Sequence, residues 1–308
     1  MSRVSRYSRY GLFAAFVVLF IAFSLGSPTF LTVANLKSVV INHFALLSLV
    51  SLGMTLVVAA GGIDLSIGVA VDMASLGYIQ VLAHGGSPVV ALFAALAGAA
   101  AVGAFNAALI SGLGMPAFLA TLGTLFIGQS VQQLATDGGV PVYLIAGAPR
   151  PIFGLVDSLR LWLVAGGVVF LWAALGASTF GRRVVALGIS PSVARYSGLP
   201  VRKDMGWVML AAALLAGVAG VILSSSVRSY APLSGNAFLM DAIGATFLGT
   251  TISARRRANV PGTLLGVALL SIVKNGLLLV GWSFYWQQVG SGVLILLVLA
   301  FSFGGRER

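Results

Sequence analysis

Pro88–Gly112 reads PVVALFAALAGAAAVGAFNAALISG, and none of these residues carries a charge. A helix needs about 20 predominantly apolar residues to cross the hydrocarbon core of a bilayer. This segment is long enough by itself, and it sets the reading of everything around it. The whole chain of 308 residues has the same character, with 59% apolar residues, 8% charged residues and a mean hydropathy of +1.04. A soluble globular protein carries about 25% charged residues. So few charges cannot cover a water-facing surface, which excludes a soluble enzyme and a disordered chain. The expected fold class is an all-α polytopic membrane protein with a single transmembrane domain over 1–308.

Working outward, the same length test gives ten hydrophobic spans: about 11–27, 43–61, 64–83, 88–112, 116–136, 161–178, 206–226, 236–252, 262–281 and 284–303. The first has the Arg3, Arg6, Arg9 flank of a signal peptide. The amount of apolar sequence that follows favours an uncleaved first helix. The net charge of +11 suggests nucleic acid at first sight, but no basic stripe is interleaved with aromatics as that surface requires. Lys and Arg bias toward the cytoplasm is the better account. With the N-terminus inside, ten spans put Arg182, Arg183, Arg195, Arg202, Lys203, Arg255, Arg256, Arg257, Arg306 and Arg308 on the same side as the N-terminal arginines. Only Lys37, Arg150, Arg160 and Arg228 fall outside, and Lys274 lies within a span. The asymmetry predicts both termini in the cytoplasm.

Two connections are long. Residues 137–160 are expected outside, with Pro141, Pro149 and Pro151 among glycines. Residues 179–205 are expected inside and form the most polar stretch. An internal polar connection of that size suits docking of a soluble partner. The 39 glycines fall largely within spans, where small residues let helices approach closely.

The chemistry-bearing residues are few. There is no cysteine, so disulfides, thiolate zinc sites and cysteine nucleophiles are excluded. His43 and His84 are too few for a histidine-rich metal site. There is no G-x-x-x-x-G-K-[ST] loop and no H-E-x-x-H, so any driving energy comes from an ion gradient or a separate ATPase. Asp64 follows a double glycine and precedes apolar residues, which reads as a helix N-cap. Asp72, Asp241 and Lys274 fall within spans, where ionisable groups are costly unless paired or hydrated. They are either functional or a structural Asp–Lys pairing. Uncharged polar groups in spans include Asn106, Thr121, Thr124, Asn275 and Gln287. Gln129, Gln132 and Gln133 share one helix face. Gln287 and Gln288 follow Trp282, Phe284, Tyr285 and Trp286. Amides beside aromatic rings suit an uncharged, hydroxyl-rich solute, and equally suit an interfacial aromatic belt with helix–helix hydrogen bonds. Gln132, Asn275 and Gln287 are the candidates for the translocation path.

These segments together resemble a known family. Gly61-Gly62-Ile63-Asp64-Leu65-Ser66-Ile67-Gly68 resembles the G-G-I-D-L-S-V-G signature of sugar-type ATP-binding-cassette importer permeases, the ribose, galactose, xylose and autoinducer-like group. Pro116-Ala117-Phe118-Leu119-Ala120-Thr121-Leu122-Gly123 is similar to their P-x-F-x-A-T-L-G segment. Gly181 to Gly188 and Ala194 to Leu199 resemble their cytoplasmic G-R-x-x-x-A-x-G…A-x-x-x-G-I segment. Asp241 to Ala245, Pro261 to Thr263, Asn275 to Leu277 and Tyr285 to Val289 follow the family's last third.

The resemblance implies a permease subunit that is not itself an enzyme and holds no cofactor, with ATP and magnesium on partner subunits. It implies cytoplasmic ATPase chains docked on 179–205, a periplasmic sugar-binding protein, a second permease subunit, and a bacterial inner membrane location. Pro191, Ala194, Arg195 and Gly198 then fall in the coupling element, a short helix over 191–198 with Ala194 and Gly198 facing the ATPase. Two departures stand out. Ser253-Ala254-Arg255-Arg256-Arg257 replaces the family's glycine-rich stretch and suits ATPase contact or anionic membrane lipid. Ser190-Pro191 replaces Gly-Asn or Asn-Glu. Two other classes stay open on the residues: an ion-coupled secondary transporter using Asp64, Asp72 and Asp241, and a membrane scaffold without transport.

Overall fold

The computed structural model describes residues 3–144, 150–253 and 257–303. Residues 145–149 of the 137–160 connection, Arg255 and Arg256 of the arginine cluster, and Arg306 and Arg308 at the C-terminus lie outside the described residues. The helices are α1 (Arg3–Gly26), α2 (Val33–Ser38), α3 (Ala45–Ala59), α4 (Ile67–Ala83), α5 (Pro88–Ala107), α6 (Ala117–Leu134), α7 (Arg150–Gly176), α8 (Thr179–Ile189), α9 (Pro191–Tyr196), α10 (Val201–Val227), α11 (Asn236–Thr250), α12 (Val260–Leu279) and α13 (Phe284–Phe303). π-Helical turns, Val39–Phe44 and Ala108–Gly112, join α2 to α3 and extend α5. Among the described residues the only strands are β1 (Val142–Tyr143) and β2 (Ser229–Tyr230), paired antiparallel with Val142 opposite Tyr230.

The helix starts are written locally. Ser87, Ser178 and Ser190 each accept a backbone N–H from the first turn that follows, at Val90, Gly181 and Val193. Asn259 does the same for Gly262 at 2.8 Å. Each cap satisfies one of the N–H groups a helix start leaves open and stabilises it by about 1 kcal/mol. Proline follows the cap at Pro88 and Pro191, where its missing N–H costs nothing.

Five helical stretches among the described residues are long and apolar enough to cross a bilayer: Val33–Ala59, Pro88–Gly112, Phe153–Gly176, Val201–Val227 and Val260–Leu279. Shorter apolar helices run over Gly11–Gly26, Ile67–Ala83 and Phe284–Val298. Phe93, Phe126, Trp162 and Trp172 point outward, which suits lipid rather than water. The chain is therefore an all-α, multi-pass membrane protein.

Several expected boundaries move. α4 starts at Ile67 rather than at Asp64, because Leu65 and Ser66 form a turn first. α7 reaches back to Arg150, through the second half of the connection expected over 137–160. Phe153, Arg160, Val164 and Leu171 recur at helical spacing and are buried, and Arg160 is tied to Asp157 on its own helix and to Ser226 on α10. The 179–205 connection is ordered as α8, α9 and the first turn of α10.

By internal packing the chain divides into two compact units, Leu52–Met240 and Met1–Ser51 with Asp241–Arg308. In the first, α4, α5 and α10 pack on one another through small residues. Ala91, Ala95 and Ala99 of α5 and Ala74 of α4 are buried with Tyr78, Ile79 and Tyr230. α4 and α5 touch backbone to backbone at Gly77 and Gly98: a Cβ on Gly77 would lie 2.8 Å from the Ala94 carbonyl oxygen, and one on Gly98 2.6 Å from that of Met73. In the second unit, Phe23 and Phe30 pack with ring centroids 5.9 Å apart, and Gly276 of α12 leaves room for the Phe23 ring. Asp241 of α11 pairs with Lys274 of α12. Asn35 and Asn275 exchange two amide hydrogen bonds at 3.0 and 2.9 Å.

These approaches predict opposite effects for one chemical change. Gly98→Ala gains about 1 kcal/mol of helix propensity but drives a methyl into the Met73 carbonyl, an overpacking cost of about 1–3 kcal/mol. Gly123→Ala on α6 meets open space and keeps only the propensity gain. Thermal unfolding in detergent should fall for Gly98→Ala and hold or rise for Gly123→Ala.

Candidate functional site

The signature segment 61–68 is a buried break between α3 and α4. Gly61 turns the chain at φ +83, a conformation open to glycine at little cost. The Asp64 carboxylate accepts the Ser66 backbone N–H at 2.8 Å and the Ser66 hydroxyl at 2.7 Å through one oxygen. This corrects the N-cap assignment: Ser66 occupies the N-cap position of α4, and Asp64 closes the turn before it. The turn is then locked from two other helices. Asn106 of α5 donates to Ser66 Oγ at 2.7 Å, and Thr124 of α6 donates to Asn106 Oδ1 at 2.6 Å. Thr121 Oγ1 accepts from Leu65 N at 3.1 Å. Sequence reading picked out Asn106, Thr121 and Thr124 only as polar residues in spans; their shared partner is a tertiary fact.

The same turn leans on the polar connection. A Cβ on Gly61 would lie 3.2 Å from Gly188 Cα, in the last turn of α8. Two residues later Ser190 caps α9, so the signature turn and the short helix share one support. Arg183 of α8 holds Asp204 of α10 through two 2.9 Å hydrogen bonds, from Nε and Nη2. Ser111 Oγ donates to the Arg202 carbonyl at 2.6 Å. The first pair ties α8 to the start of α10, and the last bond ties that start to the π-helical turn that extends α5.

The short helix is present as Pro191–Tyr196, followed by Ser197 and by Gly198 at φ +78. Its faces differ from expectation. Ala194 is 4% exposed, so its small size serves packing within this chain. The outward side chains are Val193, Arg195 and Tyr196, the last 93% exposed, with Ile189 at the end of α8. Pro191, Ser192, Arg195, Tyr196, Arg202 and Lys203 border a cleft of about 990 Å³.

The three path candidates are spoken for inside the chain. Gln132 is fully buried, and its Oε1 accepts from Tyr230 Oη at 3.0 Å and Leu233 N at 2.8 Å. Asn275 is paired with Asn35. Gln287 donates to the Trp282 carbonyl at 3.0 Å. Their hydrogen bonds form three separate sets, and each reads as a local lock rather than a polar wall. Sequence reading missed Asn35, Tyr230 and Ser234, which it placed in connections. The one available signal was that Tyr230 and Ser234 stand within a few residues of a span end; Asn35, midway between two spans, gave none.

The aspartates named for ion coupling are also engaged. Asp72 Oδ1 accepts from Ser234 Oγ at 2.8 Å and Gly235 N at 2.7 Å, and Asp241 is held by Lys274. No group of three or more metal-ligating side chains occurs among the described residues.

Comparison with known proteins gives the family. The family described as branched-chain amino acid transport system / permease component matches residues 37–299. The ribose import permease protein RbsC of Bacillus subtilis is 32% identical over 92% of this chain and 88% of its own length. RbsC of Escherichia coli K12 is 33% identical over 92% of this chain and 90% of its own. The autoinducer 2 import system permease protein LsrD of Yersinia enterocolitica is 31% identical over 84% and 80%.

The Arg183–Asp204 pair predicts a non-additive response. Arg183→Met strands a buried carboxylate and should cost about 1–3 kcal/mol. Adding Asp204→Leu should recover part of that loss, because removing both partners removes the stranded charge. A double-mutant cycle on thermal unfolding reads the difference; additive losses would mean the pair does not tie α8 to α10.

Proposed function

The chain belongs to the branched-chain amino acid transport system / permease component family, and from that premise we propose that it is the membrane subunit of an ATP-binding-cassette importer for a sugar or sugar-like solute. The observation that carries the solute class is the match to ribose and autoinducer 2 import permeases over more than four-fifths of this chain. In this reading ten spans cross the bacterial inner membrane with both termini inside. A second permease subunit completes the pore, a periplasmic binding protein delivers solute, and separate ATPases supply the energy. Internal partners for Asp64, Asp72 and Asp241 support structural roles and weigh against ion coupling.

The coupling surface in this reading is the outward face of α9: Val193, Arg195 and Tyr196, with Ile189 beside it. An exposed apolar strip on a helical segment suits a cleft on a soluble partner, because a packed element transmits displacement where a loose loop absorbs it. Pro191 presets the first turn, and Gly198 turns the chain back toward α10.

Two measurements test the proposal. Tyr196→Asp and Val193→Asp should abolish co-purification of the ATPases while thermal unfolding of the permease stays unchanged, since neither side chain is buried. Arg195→Ala should weaken it only mildly, as exposed ion pairs contribute about 0–1 kcal/mol. For the solute, labelled ribose uptake by cells carrying the permease with its neighbouring ATPase and binding-protein genes should be competed by pentoses. Competition by leucine instead would assign the family's amino-acid chemistry to this chain.

A further inference from the structure

The segment between α10 and α11 leaves the helix and is partly buried. Tyr230 and Gly235 are buried within it. Arg228 and Leu233 stand at φ +53 and +65, a region that bulky residues rarely adopt. Gly235 lies directly against Gly68 of α4: a Cβ on Gly68 would come within 2.7 Å of the Gly235 carbonyl oxygen. The two backbones face each other there, with the Asp72 carboxyl beside them: a Cβ on Gly235 would lie 3.0 Å from Asp72 Cγ.

Two side chains hold this segment, each by two bonds. Asp72 on α4 takes Ser234 Oγ and Gly235 N. Gln132 on α6 takes Tyr230 Oη and Leu233 N. The backbone N–H of the residue at φ +65 is thus bonded directly to Gln132. The Gln132 and Asp72 side chains also interact with each other. These bonds favour the held state. Arg228 and Leu233, both in the left-handed region, oppose it.

We propose that Asp72 and Gln132 are positioning residues that form a releasable clasp, and that the 230–235 segment alternates between a clasped and a released state during transport, carrying the start of α11 with it. Release lets Leu233 return to an ordinary backbone conformation and lets Gly235 slide along Gly68. Re-closing restores the four bonds. Gln132 then acts on the solute's passage through the segment it holds, rather than by touching the solute.

The natural absence of cysteine makes the test direct. Leu239, on the first turn of α11, is 5% exposed, so a cysteine at Leu239→Cys reacts with a maleimide only when the segment is released. On the purified permease, Gln132→Leu should raise the labelling rate about tenfold or more, because two of the four bonds are lost. Leu233→Gly keeps its N–H bond to Gln132, removes the backbone strain, and should lower the rate several-fold. Leu233→Gly keeps the test decisive if Gln132→Leu fails to fold.

In the assembled transporter in liposomes, Leu233→Gly should also slow ribose uptake while leaving ribose half-saturation unchanged, because release becomes rarer. A merely structural clasp would raise thermal stability and leave uptake alone. Equal labelling rates in all three backgrounds would overturn the switch, as would a labelling response with no change in uptake. The uptake arm rests on the sugar-import reading: absence of ribose uptake by the unmodified transporter would sink that reading, while the labelling arm still decides the clasp.

Discussion

Every buried peptide group that leaves a helix needs a partner from within the protein, because lipid and a packed interior supply no water to take its place. That constraint organises the larger unit of this chain. Its helices are interrupted at two partly buried places, the 61–66 turn and the 228–235 segment, and both are served by side chains from neighbouring helices. Asp64, Ser66, Thr121, Asn106 and Thr124 serve the first; Asp72 and Gln132 serve the second. In this unit those polar residues are thus committed to holding irregular backbone in place. Several residues with the look of a solute path or an ion site turn out to have this occupation.

The second organising feature is how closely the helices approach. α4, α5 and α10 meet through alanine and glycine, with backbone carbonyls taking the space a side chain would fill. In lipid there is no hydrophobic drive to bring helices together, so dispersion between close backbones and a few hydrogen bonds must do so. Glycine in a helix costs about 1 kcal/mol against alanine. That cost is tolerated at Gly77 and Gly98 because the contact is lost otherwise, whereas Gly123 has no such contact to protect.

The signature turn and the polar connection meet at one point. Gly61 rests on Gly188, and two residues further on Ser190 caps α9. Arg183 and Asp204 brace α8 against α10. In the proposed reading, a displacement applied to the outer face of α9 would reach the 61–66 turn through these contacts, which needs no catalytic group on this chain.

Much of this was legible in the residues alone. Composition established a multi-pass helical membrane protein, since 59% apolar and 8% charged residues leave no soluble alternative. The order of the motifs pointed to the permease family, and Ser190-Pro191 announced a short helix, because caps and first-turn prolines act within four residues. What the sequence could not decide was partnership across distance. Nothing local shows that Gln132 bonds Leu233, that Asn35 answers Asn275, or that Ala194 turns inward while Tyr196 turns out. A side-chain amide in a span is equally suited to a solute, a neighbouring helix or a broken backbone. The choice among these depends on which groups lie unsatisfied within about 3 Å once the chain has packed, and that is decided only by the tertiary structure.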